Sequence, residues 1–155
     1  MSDAVKSRLA AMGLKLPASA APVANYVPFL VVDGWIYLSG QLPLTENGLI
    51  STGRLGAELD IEAGVKAAQT AALQVIAKLD AACAGNLDRI ERIVRVDVFV
   101  ASAPTFFDQP KVANGASDLL VEAFGEPGRH TRNAVGMAVL PLNAPVEIAA
   151  IAKMR

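Results

Sequence analysis

Residues 128–155, GRHTRNAVGMAVLPLNAPVEIAAIAKMR, hold the reading on which the fold turns. Two runs in this stretch, Arg132 to Leu140 and Val146 to Met154, have the apolar alternation of β-strands, and the PLNAP between them is rich in turn formers. Together they predict a terminal antiparallel hairpin turning near Asn143. Three basic side chains, Arg129, His130 and Arg132, stand where the first strand enters, and the chain's single histidine is among them.

An arginine in an apolar strand is costly unless its guanidinium meets a carboxylate or water, and its planar fork suits bidentate binding of a carboxylate. Strand alternation places Arg132, Ala134 and Gly136 on one face, where small neighbours leave room for a pocket floor. The plainer alternative is that Arg132 pairs with a nearby acid or lies at a rim. Glu147 raises the same question from the last strand, where it faces away from Val146 and Ile148. In the expected hairpin it lies opposite Val139, about 23 Å from Arg132 at roughly 3.3 Å per residue. Either the two serve separate purposes, or a subunit interface brings the glutamate of one copy beside the arginine of another.

Working outward, residues 2–13 form a short amphipathic helix signal, with Ser2 as cap, Val5, Leu9 and Met12 on one face, and Gly13 as the stop. PASAAPVANYVP, with three prolines, predicts an extended connection. FLVVDGWIYLSGQLPL reads as a hairpin, Phe29–Val32 and Trp35–Ser39, joined by a type I′ turn at Asp33-Gly34, with Gly40 allowing close backbone approach. Asn47-Gly48 marks a further turn. From Leu59 to Ala84 the stripe Ile61, Val65, Ala68, Ala72, Val75, Ile76, Leu79 predicts a long helix ending at Gly85-Asn86. RIVRVDVFVAS is a strand with Val94, Val96, Val98 and Val100 on one face and Arg95, Asp97 and Phe99 on a wetter one. Val112–Phe124 is a second long helix despite Gly115. The order α, ββ, α, β, α, ββ predicts an α+β fold, a mixed sheet with the two longer helices on one face.

The 155 residues suit one domain with a core. The chain is 53% hydrophobic but only 5% aromatic, with mean hydropathy +0.39, and such aliphatic excess predicts burial against copies of itself. With net charge −1 and no long basic run, nucleic acid is not an expected partner. A single cysteine, Cys83, excludes an internal disulfide framework and a Cys-rich zinc site, and suits a reducing compartment. No stretch reads as a signal peptide or a membrane span, so a cytosolic location is expected. Phosphate-loop, dinucleotide, nucleophile-elbow and zinc-protease motifs are absent from the sequence, and neither a metal nor an organic cofactor is expected.

Tyr26, thirteen residues before the Ser-Gly-Gln of YLSGQLP, combines with Arg132 eight residues before LP and with VEI in the last strand. In this register the chain resembles the RidA/YjgF family over residues 25–153, with residues 1–24 as an added helix and connection. The resemblance implies a chorismate-mutase-like homotrimer with sites in clefts between subunits. It implies hydrolysis of reactive enamine and imine acids, such as 2-aminoacrylate and 2-iminopropanoate, to 2-oxo acids and ammonia. It places the carboxylate-binding arginine on Arg132, the acidic site residue on Glu147, the site tyrosine on Tyr26, the strand-end serine on Ser39 beside Gly40, and the helix asparagine on Asn114.

The chain departs from the family pattern at Ala134, where many members carry cysteine. It departs again in a longer PTFFDQPKVAN segment, in the N-terminal helix and in GRHTR, whose His130 is a rim group or a substrate-selecting, proton-carrying one. These departures suggest a divergent subgroup. A non-catalytic carboxylate binder would keep Arg132 without needing Glu147 to aim water. A ribonuclease would need basic surface and a phosphate-directed acid/base pair, which the sequence does not offer.

Overall fold

A computed structural model describes residues 3–18 and 24–155. The chain runs α1 (Ala4–Ala11), β1 (Phe29–Val32), β2 (Trp35–Gln41), a small hairpin of β3 (Leu44–Thr45) and β4 (Gly48–Leu49), α2 (Ile61–Ala82), β5 (Ile90–Ala101), α3 (Gln109–Phe124), β6 (Thr131–Met137) and β7 (Val146–Met154). Five strands make one mixed sheet in the order β1-β2-β7-β5-β6. The class is α+β. Side chains of α2 and α3 share one core with the alternate residues Val96, Val98, Val100, Val146, Ile148, Ala150 and Ala152 of the sheet.

Local chemistry accounts for several element ends. Asp3 caps α1 by accepting the Lys6 amide at 3.0 Å, while Ser2, expected in that role, lies outside the described residues, as do residues 19–23 of the connection. Asp33 and Gly34 both have positive φ, 50° and 77°, as a type I′ hairpin turn requires. Asp60 caps α2 through the Ala63 amide, so the helix starts at Ile61 rather than Leu59. Pro110 in the first turn lets α3 start at Gln109, ahead of Val112.

Two expectations fail. The terminal runs do not pair with each other: β6 lies parallel to β5 at the sheet edge, and β7 lies antiparallel between β5 and β2. β5, α3 and β6 form a strand-helix-strand unit, which naturally returns the chain parallel. The turn foreseen near Asn143 exists, with Leu142 and Asn143 both at positive φ, but the segment 138–145 crosses the end of β5 and does not double back. There Pro145 accepts the Ala101 amide at 2.9 Å. The burial supports the order. β7 is buried at every second residue, as a central strand should be, whereas β6 is exposed or half-buried throughout.

The second failure is Val94. A register shift between Ile93 and Arg95 interrupts the alternation, so the core face carries Ile93, Val96, Val98 and Val100 while Val94 is only half-buried.

Gly115 sits in α3 for a steric reason. A Cβ there would overlap the Val65 carbonyl of α2, so the two helices touch backbone to backbone at this point. Gly64 of α2 faces Leu55 and Val112 in the same tight layer. Replacing Gly115 by Ala improves helix propensity but overpacks this contact. We expect Gly115→Ala to lower unfolding stability by about 1–3 kcal/mol in denaturant titration, against the helix-propensity gain of about 1 kcal/mol that an exposed site would show.

Candidate functional site

Residues in register across a ladder point to the same sheet face, and the pleat reverses that face at each step. Arg132 is in register with Val96, and Ala134 and Gly136 with Val98 and Val100, so all three point toward the helices. The room beside Arg132 is therefore occupied by α3 and is not an open floor. Gln109 lies against Gly136, and Ala134 packs on the core. Glu147 is in register with Phe99 and shares the opposite face with Tyr37, Ala149, Ile151 and Val135. Arg132 and Glu147 are thus three rungs and two strand spacings apart, roughly 14 Å between backbones, and not the 23 Å of the expected hairpin. They also look in opposite directions.

On the helix side, α3 turns Asn114 and Ser117 toward the start of β6, three residues apart and so on one helix face. Arg132 Nη1 donates to Asn114 Oδ1 at 2.9 Å and to Ser117 Oγ at 3.2 Å. Ser117 Oγ is also 2.9 Å from His130 Nε2, and His130 Nδ1 is 2.6 Å from the Gly128 carbonyl. Burial, joined by the Arg132 charge, pulls the His130 imidazole below its ordinary range. Among the described residues no carboxylate pairs with Arg132. Arg129, by contrast, is a rim residue, bridged to Glu126 at 3.2 Å with both side chains exposed.

Near the end of β2, Tyr26, Gly40 and Glu147 line one cleft of about 1000 Å³, together with residues of the 15–18 segment, of α2 and of the β3 strand. Its depth at Glu147 depends on Gly40, because a Cβ there would overlap the carboxylate. A bulge in β2 between Leu38 and Gln41 makes this opening. Ser39 sits in the bulge and is occupied structurally: its hydroxyl donates to the Val27 carbonyl at 2.7 Å and its amide to that of Pro28, holding the Tyr26 segment against β2. Burial pushes the Glu147 carboxyl above its usual range.

The structure therefore gathers Arg132, Asn114 and His130 in one cluster, and Tyr26, Ser39, Gly40 and Glu147 in another. Ser117, which links the first cluster, was not singled out from sequence; its only signal is the spacing Asn114-x-x-Ser117. Among the described residues no three His, Cys, Asp or Glu side chains converge as metal ligands, and no helix is long and apolar enough to cross a membrane.

The family model “YjgF/chorismate_mutase-like, putative endoribonuclease” matches residues 6–154. The protein TCP17 of Trypanosoma cruzi is 47% identical over 154 residues, covering 99% of this chain and 96% of its own. The crystal structure of Atu1372 from Agrobacterium tumefaciens superposes with a TM-score of 0.92 at 43% identity, covering 99% of this chain and 93% of its own. RidA from the Antarctic bacterium Psychrobacter sp. PAMC 21119 does so with 0.60 at 26% identity, covering 86% and 92%. The chain belongs to the YjgF/RidA family, and its backbone is far nearer to the former structure than to the latter.

The raised Glu147 pKa has a consequence for stability. A carboxyl whose folded pKa lies above its unfolded value is ionised at a cost, so its contribution disfavours folding above the folded pKa and the penalty vanishes as pH falls below about 4.5. Glu147→Gln removes the charge, and we expect a higher Tm for the variant than for wild type at pH 7, with the difference closing in acid. A lower Tm at pH 7 would assign Glu147 a stabilising partner instead.

Proposed function

We propose that the protein hydrolyses small 2-imino and enamine acids to 2-oxo acids and ammonia, in clefts between the subunits of a homotrimer. The observation that carries this reading is Arg132: a guanidinium held by two neutral side chains, with no carboxylate of its own among the described residues, is arranged to receive an anionic ligand. The charge-assisted contact would orient the ligand carboxylate and leave the adjacent C=N carbon open to water. Glu147, with its carboxyl pushed above its usual range by burial, suits the aiming and deprotonation of that water. Tyr26, beside it in the cleft, is a ligand contact in this reading.

The opposite orientation of the two groups favours a shared site built from two copies. The sheet face that carries Glu147 exposes Leu30, Val32, Trp35, Tyr37 and Val135, which suits burial against a neighbour. A ribonuclease reading, suggested by the family description, gains nothing from a chain of net charge −1 without a basic run. The buried thiol of Cys83 fits a reducing, cytosolic setting.

Freshly generated 2-aminoacrylate, followed by 2-oxo acid release with and without protein, tests the activity. Wild type should accelerate it. Arg132→Ala should lower kcat/KM on the order of tenfold to a hundredfold, the value of a lost charge-assisted bond of roughly 1.5–3 kcal/mol. Glu147→Gln should lower kcat by about a hundredfold or more, as loss of a general base does. Failure of wild type to accelerate the reaction, with pyruvate still binding at Arg132, would instead make this a carboxylate-binding protein.

A further inference from the structure

The hydrogen bonds around Arg132 have a fixed direction. A carbonyl oxygen can only accept, so His130 Nδ1 carries a hydrogen toward Gly128, and in the neutral ring Nε2 is a bare acceptor. The Ser117 hydroxyl hydrogen is then committed to Nε2, leaving a lone pair of Ser117 Oγ for Arg132 Nη1. Asn114 Oδ1 takes the other hydrogen of the same Nη1. Both hydrogens of that nitrogen are used. The Nε/Nη2 edge, the side of the guanidinium that fits a carboxylate fork, makes no hydrogen bond to any described residue.

We propose that Ser117 and His130 are positioning residues of the Arg132 anion site, which hold the guanidinium so that its Nε/Nη2 edge faces the ligand, and that His130 takes up a proton when a carboxylate binds there. This rests on the reading of Arg132 as the receptor of the ligand carboxylate. The chain Arg132 to Ser117 to His130 to Gly128 fixes the guanidinium plane, which a flexible side chain would otherwise have to immobilise on binding.

The proton uptake follows from the charges. Arg132 on β6 is the charged group acting on the imidazole; α3 presents Ser117 to it, the turn before β6 presents the Gly128 carbonyl, and no carboxylate among the described residues contacts it. Burial and Arg132 together hold the free ring below its ordinary range, against the Gly128 carbonyl, which favours the proton. A bound carboxylate offsets the guanidinium charge, so the ring accepts a proton more readily in the complex than in the free protein. Once protonated, Nε2 donates to Ser117, whose own hydrogen turns away from the ring and becomes available to the ligand side. By reciprocity, binding tightens as pH falls through the histidine range.

Glu147 also titrates upward from its usual range, and in the proposed cleft it would respond to an anion as well. The decisive quantity is therefore the difference between wild type and His130→Gln, whose amide oxygen can still accept from Ser117 but cannot ionise. Pyruvate is titrated calorimetrically in two buffers of different ionisation enthalpy, between about pH 5.5 and 7.5, around the ordinary histidine value of 6.5. Wild type should take up protons on binding and gain about fivefold or more in affinity toward the acid end, the lower range of coupling between linked sites. His130→Gln should still bind and should lose that share of uptake and pH dependence. Ser117→Ala should weaken pyruvate at every pH. Wild-type proton uptake in His130→Gln, or unchanged affinity in Ser117→Ala, would overturn the inference. Arg132→Ala binding pyruvate as well as wild type would instead remove the underlying reading of Arg132.

Discussion

The pleat on either side of β5 governs where Arg132 and Glu147 can act. A residue in register with Val96 points to the helices, and a residue in register with Phe99 points away from them. Arg132 holds the first position on one neighbouring strand and Glu147 the second position on the other. No rotamer carries either side chain through a sheet whose core face is closed by Val96, Val98, Ile148 and Val146, all fully buried. Arg132 and Glu147 therefore point to opposite faces of the sheet, which is the basis of the proposal that a second copy completes the site.

Helix packing sets the second constraint. The position of Asn114 and Ser117 relative to Arg132 depends on how deeply α3 lies on α2, and that depth is set by the flanking glycine, Gly115, against the Val65 carbonyl. The alanines of α2, with Ala67, Ala68, Ala71 and Ala72 fully buried, keep the layer thin for the same reason. On the other side of the sheet Gly40 does comparable work for Glu147, because its missing Cβ is the space that the carboxylate fills. A small residue next to these candidate side chains thus converts close packing into a defined orientation.

Much of this was readable from the residues alone. The α+β class, both long helices and the Asp33-Gly34 hairpin all follow from periodicity and turn chemistry. The strand partners did not. Alternation says which residues share a face, but it is the same for a strand that pairs with its neighbour in sequence and for one that crosses over to another, and the segment 138–145 is long enough for either. The bulges at Val94 and after Leu38 were hidden for a related reason: each inserts a residue without changing composition, and one of them creates the opening at Gly40. Ser117 escaped notice because a serine inside an amphipathic helix carries no mark of its partners, which come from His130 and Arg132 on a different element.

Mixed assemblies test the central claim, that Arg132 of one subunit works with Glu147 of another. Arg132→Ala and Glu147→Gln chains, each impaired in imine hydrolysis, are unfolded together and reassembled, and the activity of the mixture is compared with that of each parent treated alone. If the site is shared across a symmetric interface, random mixing of equal amounts gives about a quarter of the clefts one intact arginine and one intact glutamate, and activity returns to about that fraction of wild type. If both groups act within one chain, every cleft of the mixture keeps one lesion, and activity no higher than that of the parents would contradict the account.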